Sequence, residues 1–374
     1  MLKRLELENF KCFEKIKLGF STVNVLTGLN GMGKSTVMQS ILLLGQSQNS
    51  IMSEQVLSLK GKYVNLGVGQ DILFEKAEKD EIGICVMTED MEERYVFAYQ
   101  PETDALPLKN VDRDLCLAWE NHLYYLSAYR IEPQFLYHIE NEKEVSERYF
   151  AKNGEFSIQY LKLYGGDDVM NRSVLIGNKK TIADQVKVWM DLISPGISPV
   201  ITISTSSRTA ELKYEYIEGR EKTNSYKSVN VGFGITYVLP VVTTLVSAKP
   251  GDIILLENPE AHIHPKGQRM LGELIAAAGA GGVQIIVETH SDHVLNGIRV
   301  AVKKGRLKSK DTGFFYFYKD TSDGYKHKVV CPVLDENGRL DEWPEGINLI
   351  EKILMEKERS EAGWTCMMGR HRIY

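Results

Sequence analysis

The chain has 374 residues, 43% hydrophobic and 25% charged, with a formal net charge of -5; it is long enough for a large core and two lobes, and its acidity argues against a generally basic nucleic-acid binder while leaving room for a local basic patch. Five scattered cysteines (Cys12, Cys85, Cys116, Cys331, Cys366) without a C-x-x-C pair argue against a structural zinc or a disulfide framework and fit a reducing cytosol. No apolar run reaches membrane-spanning length and the N-terminus lacks the apolar stretch of a signal peptide, so a cytoplasmic protein with no membrane contact is expected.

Leu2 to Glu8 alternates apolar and charged residues, as a half-buried strand does. Ile16 to Leu26 reads as further strand, with the apolar run Val23–Thr27 at its end. Then comes Gly28-Leu29-Asn30-Gly31-Met32-Gly33-Lys34-Ser35-Thr36, a complete G-x-x-x-x-G-K-[ST] loop, followed by an amphipathic helix through Val37, Met38, Ile41 and Leu42. Strand, glycine loop and helix in that order are the context that confirms the motif. Its glycines let backbone N–H groups close around a phosphate, at a helix N-terminus whose partial positive charge favours anions. Lys34 can reach the β- and γ-phosphates, and the Ser35 hydroxyl can join the shell of a Mg²⁺ ion. A nucleoside triphosphate site is expected.

Short strands over Ile82–Thr88 and Arg94–Ala98 follow, then a mixed, polar middle from about Glu102 to Ser198 with helices near Arg113–Leu126 and Thr181–Leu192. Trp189 and Met190 fit core packing better than a binding box. No internal repeat, heptad run or low-complexity segment is visible. From Ser228 the texture becomes βαβ alternation. Asp252–Leu256 reads as a buried parallel strand. Pro265 suits the first turn of a helix ending near Ala278, with Gly279–Gly282 as the turn. Val283–Val287 is a second buried strand, and Ser291 caps a helix through Val302. Thr312–Tyr318 and Lys328–Leu334 read as strands around Asp323-Gly324, and a charged helix begins at Ile347.

Ile253-Ile254-Leu255-Leu256-Glu257-Asn258-Pro259-Glu260 has the form of a Walker B strand, apolar residues with acid at the end. A carboxylate there can hold Mg²⁺ through water and polarise an attacking water. Ala261-His262-Ile263-His264-Pro265 leads into the next helix; two histidines at i, i+2 without a third ligand argue against a metal pair. The next strand ends Glu288-Thr289-His290-Ser291, which puts His290 where a γ-phosphate could be sensed. Upstream, Asn230-Val231-Gly232-Phe233-Gly234 is a glycine-rich turn opening a helix over Ile235–Val246, a second phosphate-binding helix N-terminus.

In this order the motifs resemble the ABC-type ATPases of the SMC, RecF and OLD (overcoming lysogenisation defect) group, in particular the standalone bacterial AAA-family ATPases with an E-N-P-E-A-H-x-H-P sequence. Leu5-Glu6-Leu7-Glu8-Asn9-Phe10-Lys11-Cys12-Phe13 resembles the RecF-type first strand with its N-F-[KR]-x-F turn. Asp335-Glu336-Asn337-Gly338-Arg339-Leu340-Asp341-Glu342-Trp343-Pro344-Glu345-Gly346 resembles the D-G-R-x-D-x-W-P-x-G element of that subgroup. The resemblance is strong at both ends and over 228–300, and loose over 75–225. It implies an α/β P-loop NTPase fold of ABC/SMC-head type: a mixed and parallel sheet flanked by helices, an N-terminal antiparallel β subdomain and a helical or mixed insertion. The expected division is a split core over 1–75 and 225–320, an insertion lobe over 76–224 and a strand–helix extension over 321–374.

The resemblance implies ATP and Mg²⁺ as cofactors. Carried over by position, Gly28, Asn30, Gly31, Gly33, Lys34, Ser35 and Thr36 form the phosphate loop, with Lys11 near the nucleotide. Asn230, Gly232 and Gly234 match the signature loop, which in this group contacts the γ-phosphate of the opposite protomer. Glu257 takes the Walker B position and, with Ser35, serves the metal; His290 takes the switch position. Arg130, in Tyr125-Leu126-Ser127-Ala128-Tyr129-Arg130-Ile131-Glu132-Pro133, matches a Y-[IL]-x-x-x-R-x-x-P element; contact with nucleotide or partner and a structural ion pair both stay open. Gln70 is a candidate for the Gln loop. One departure bears on mechanism. The residue after the Walker B acid, usually a catalytic Glu, is Asn258, and an amide cannot accept a proton from water. Glu260 is the nearest acid that could supply the base, and slow hydrolysis with a long-lived ATP state is expected.

The leading reading is a switch: two protomers pair head-to-tail around ATP, with higher assembly open, and gate a separate effector such as a nuclease, as in bacterial anti-phage or toxin–antitoxin-like operons. The alternative is a RecF- or SMC-like DNA-repair clamp. The missing heptads remove coiled-coil arms, and Lys303-Lys304-Gly305-Arg306-Leu307-Lys308-Ser309-Lys310 is the best nucleic-acid contact, set against a solvated helix end favoured by the helix dipole. An OLD-type nuclease needs a metal-binding carboxylate domain, for which the roughly sixty residues after Lys310 are too few. A nucleotide sensor without catalysis is the reading that Asn258 raises.

Overall fold

Apolar runs that lack strand-like alternation are explained by burial on both faces, and they form the central sheet here. The computed structural model describes residues 1–341 except 90, 112–121, 143–144, 146–150, 219–220, 321–323 and 325. Outside these lie Cys116 and Cys366, most of the expected helix at Arg113–Leu126, Asp323, the Glu342–Gly346 end of the C-terminal element and the expected helix from Ile347. The central sheet has the order β17 (Lys326–Val330), β16 (Thr312–Asp320), β3 (Val23–Gly28), β15 (Gln284–Glu288), β14 (Ile253–Glu257), β8 (Leu123–Leu126), parallel throughout except for β17. Along β14, Ile253 and Leu255 enter one core with Val37 and Ile41 of helix α1 (Lys34–Glu54). Ile254 and Leu256 enter the other, with Leu271, Leu274 and Ile275 of helix α5 (Pro265–Ala280). The two-residue period of a strand thus feeds two cores.

The second sheet is antiparallel, in the order β2 (Phe13–Gly19), β1 (Arg4–Phe10), β5 (Glu81–Met87), β6 (Glu92–Ala98), β7 (Ala105–Val111), β4 (Val56–Ser58). It lays Leu5, Leu7, Ile84 and Phe97 on the same core as α1. The third is built on the hairpin of β10 (Ile197–Ser204) and β11 (Thr209–Glu218), with β9 (Tyr137–His138), β12 (Glu221–Lys222) and β13 (Tyr226–Lys227) on β11. Helices α2 (Ser157–Tyr164) and α3 (Ile182–Ile193) pack beside it. Thr181 caps α3 by accepting from the Asp184 N–H, and Trp189 and Met190 are core residues.

Two expectations change. Ile16–Leu26 is two strands in two sheets, because the Asn24 side chain accepts from the Ser21 N–H (2.8 Å) and donates to the Ser21 carbonyl (2.8 Å), fastening a turn between them. Leu123–Leu126 is the edge strand beside β14 rather than helix; its apolar side chains bury against both cores. Within 76–224, β5–β7 complete the sheet begun by β1 and β2, and β8 belongs to the central sheet. The rest of that stretch has its own hairpin and helices. The mixed central sheet, flanking helices and N-terminal antiparallel sheet constitute the expected α/β P-loop fold.

Candidate nucleotide site

The loop after β3 is shaped by glycines that no other residue could replace. Gly28 has φ 127° and Gly33 φ 104°, values that L side chains rarely adopt. A Cβ on Gly28 would lie 2.3 Å from the Phe317 carbonyl oxygen, and one on Gly33 would lie 2.4 Å from Phe13 Cζ. Asn30 and Gly31 are exposed at the tip. Lys34, the first residue of α1, is 3% exposed. Its Nζ donates to the carbonyls of Gly28 (3.0 Å) and Leu29 (2.8 Å). Burial pulls its pKa below the usual lysine value, against the opposing pull of Glu288. Thr36 is buried and accepts from Cys12 Sγ at 3.7 Å. Lys11, at φ 52°, donates to Gln39 Oε1 (2.8 Å), one turn along α1 from Ser35. Gln70 is exposed on a short 3-10 turn, Gly69–Asp71, near Lys11, whose N–H donates to the Ile72 carbonyl (2.7 Å).

Three carboxylates gather at the C-terminal ends of β14 and β15. Glu257 and Glu288 are register partners, so their side chains leave the same face of neighbouring strands, which stand about 4.8 Å apart. Glu257 Oε2 accepts from the Ala128 N–H (3.1 Å), and its charge, after burial, raises the Tyr125 phenol. Glu288 accepts the Ser35 hydroxyl bond at 2.9 and 3.2 Å and lies 3.9 Å from Lys34 Nζ. Burial first, then the charges of Glu257 and Glu260, lift it above the usual carboxylate range, against Ser35 and Lys34. Glu260 is 7% exposed; Oε1 accepts from the His290 N–H (3.0 Å), Oε2 is buried, and burial raises the group's pKa against the opposing pull of Thr289. The exposed His290 ring is pushed below the usual histidine value by partial burial and then by the Lys34 charge, so the neutral ring is favoured.

Arg130 bonds backbone carbonyls rather than a carboxylate. It is 1% exposed, and its bonds go to four backbone carbonyls: Tyr237 from Nε (3.2 Å), Ser127 and Glu257 from Nη1 (2.8 Å each) and Asn258 from Nη2 (2.7 Å). Burial lowers its pKa to about 10. The guanidinium also lies over the Tyr237 ring, 4.3 Å from its centroid. It thereby ties helix α4 (Phe233–Ser247) to the turn after β14, where Asn258 has φ 41°. Gly234 makes that approach possible, because a Cβ there would be 2.1 Å from the His262 carbonyl oxygen. Asn230 and Gly232 are exposed at the start of α4, with Gly232 as its N-cap. His262 packs its ring against Phe233 and Tyr237, and His264 caps α5 by accepting from the Lys266 N–H (3.2 Å). In the basic run, Lys304 and Arg306 reach the buried Glu273 at 3.6 and 3.2 Å.

The residues fit a magnesium–nucleotide group: a loop bent by glycines at positive φ, a buried ammonium bonded to two carbonyls, and a hydroxyl backed by carboxylate. Glu288 is the residue that sequence reasoning passed over. Its signal was present, since β15 is an apolar run ending in Glu, as β14 is.

Comparison with known proteins agrees. Residues 1–162 match a family described as AAA ATPase domain, residues 126–296 one described as AAA domain, putative AbiEii toxin, Type IV TA system, and residues 307–347 a protein of unknown function, DUF3696. The OLD nuclease of Thermus scotoductus is 40% identical over 57 residues, covering 15% of this chain and 11% of that protein, so the chain matches only about a tenth of that relative's length. The fold is that of SMC heads. An SMC head bound to the C-winged helix domain of ScpA aligns with TM-score 0.52 and 14% identity, over 90% of this chain and 98% of the other. A Pyrococcus furiosus SMC head with an extended coiled coil, bound to the C-terminal domain of ScpA, gives 0.51 and 13%, over 96% and 99%. The chain is thus an ATPase with matches to AAA-type ATPase domains, built on the fold of an SMC head.

Proposed function

We propose that the chain binds ATP with Mg²⁺ between two of its own copies and hydrolyses it slowly, the ATP-held pair switching a separate effector, such as a nuclease, in bacterial anti-phage defence. The observation that carries this reading is the gathering of Lys34, Ser35, Glu257, Glu260, Glu288 and His290 at the C-terminal ends of adjacent parallel strands, where α/β proteins bind ligands. Lys34 exchanges two carbonyls for phosphate oxygens, and the neutral His290 ring donates to the γ-phosphate. Ser35, with carboxylates behind it, would hold the magnesium ion, which would supply neutralisation of charge on the phosphates. Asn258 cannot take a proton from water; Glu260, whose pKa burial raises, would serve as the base.

Pairing is supported by the position of the Gly232 turn. It opens α4 beside the turn after β14, and β14 is two strands, roughly 10 Å, from β3 and its loop. A second copy turned about a two-fold axis brings its Gly232 turn to the first copy's loop. Exposed apolar side chains flank these segments, Leu29 at 66%, Tyr129 at 68% and Phe233 at 40%, surface that a partner would cover. The nuclease in this reading is supported by the short OLD nuclease match and by the toxin named in the AAA family description. The test is light scattering of the parent and Gly232→Asp with ATP or ADP. ATP should double the mass of the parent, whereas ADP, or ATP with the variant, should not. Equal association of parent and variant under ATP rejects the composite site.

A further inference from the structure

Resting on the nucleotide site proposed above, we infer that Glu288 is the carboxylate that orients Ser35 toward the magnesium ion of the bound nucleotide. A serine hydroxyl has one proton and two lone pairs. Here the proton is committed to Glu288, at 2.9 Å from Oε2 and 3.2 Å from Oε1. That fixes the hydroxyl rotor and leaves its lone pairs for a cation. Glu257 is otherwise engaged, since its Oε2 accepts from the Ala128 N–H at 3.1 Å.

The charge balance of the site points the same way. Glu288 is 7% exposed, and Lys34, the cation recorded beside it, lies 3.9 Å away, beyond hydrogen-bond reach. Lys34 directs its short bonds to Gly28 and Leu29 instead. A buried carboxylate abreast of Glu257, with its Lys34 partner as far off as 3.9 Å, is costly as packing. It is accounted for by a divalent cation arriving between Ser35 and the phosphates. Glu288 is therefore a positioning residue, acting on the metal through Ser35.

The quantity that separates this role from a merely structural one is the gain in ATP affinity on replacing EDTA by Mg²⁺, measured by calorimetric titration. Glu288→Gln keeps the shape and should lose about 10–100-fold of that gain, the usual cost of removing an outer-shell partner of a metal, while binding ATP in EDTA like the parent. If Glu288→Gln does not fold, Glu288→Asp, which keeps the charge but shortens the reach, should show the reduced gain. A parental gain in whichever variant folds overturns the inference. A parent that binds ATP in neither buffer overturns the nucleotide site as well, and is thereby distinguishable.

Discussion

Lys34 and Glu260 are the two ionisable groups whose surroundings decide most at this site. The Lys34 ammonium rests on carbonyl oxygens, weaker partners than phosphate, and no other residue of the loop carries its charge. ATP with Mg²⁺ at about a hundred times its Kd should raise the parent's Tm by roughly 3 °C, and Lys34→Ala should abolish the rise. Equal thermal shifts in both proteins would refute the assignment. Glu260 is buried with a raised pKa. A carboxyl raised in the folded state contributes stability that is full below its unfolded value of about 4.5 and is lost as pH rises through the folded value. Glu260→Gln keeps an acceptor for the His290 N–H and removes that loss. Its Tm relative to the parent should therefore be higher at pH 8 than at pH 5, and a pH-independent difference would count against the raised pKa.

Among the elements, Arg130 joins α4 to the end of β14 by bonding carbonyls on both. A lysine has neither the planar fork nor the number of donors to hold four acceptors. Arg130→Lys should therefore cost about 1–3 kcal/mol for each carbonyl left buried and unpaired. Urea unfolding within about 0.5 kcal/mol of the parent, the range of a neutral surface change, would show that the clamp is dispensable. The same clamp holds the turn bearing Asn258 and Glu260 against the helix opened by Gly232, so movement at one should be felt at the other.

For the whole molecule, the expected behaviour is slow turnover from an ATP-held pair. Basal hydrolysis should be below about 1 s⁻¹, the low edge of ordinary enzyme rates. Glu257→Gln should abolish its Mg²⁺ dependence, and His290→Ala should lower hydrolysis while leaving binding largely intact. Loss of Glu260 as the base should lower turnover about 10²–10⁴-fold. Unchanged turnover in Glu260→Gln would make that residue structural, and tens of turnovers per second in the parent would sink the slow switch. In the described residues Lys304 and Arg306 are drawn to Glu273, which leaves less of the basic run for nucleic acid.

The phosphate loop, the two apolar strands ending in acid and the cap at Ser291 were readable along the chain because each rests on local chemistry: glycine φ, two-sided burial, a hydroxyl at a helix start. The partners of those residues were not, because they come from strands distant in sequence. Ser35 meets Glu288 across 253 positions, and Arg130 meets Asn258 across 128. At Leu123–Leu126 the sequence predicts the end of a helix, whereas pairing with β14 makes it an edge strand. Local pattern determined which segments form the glycine loop and which strands end in acid. Only the parallel register, which sets Glu257 beside Glu288, decided which acid holds the serine.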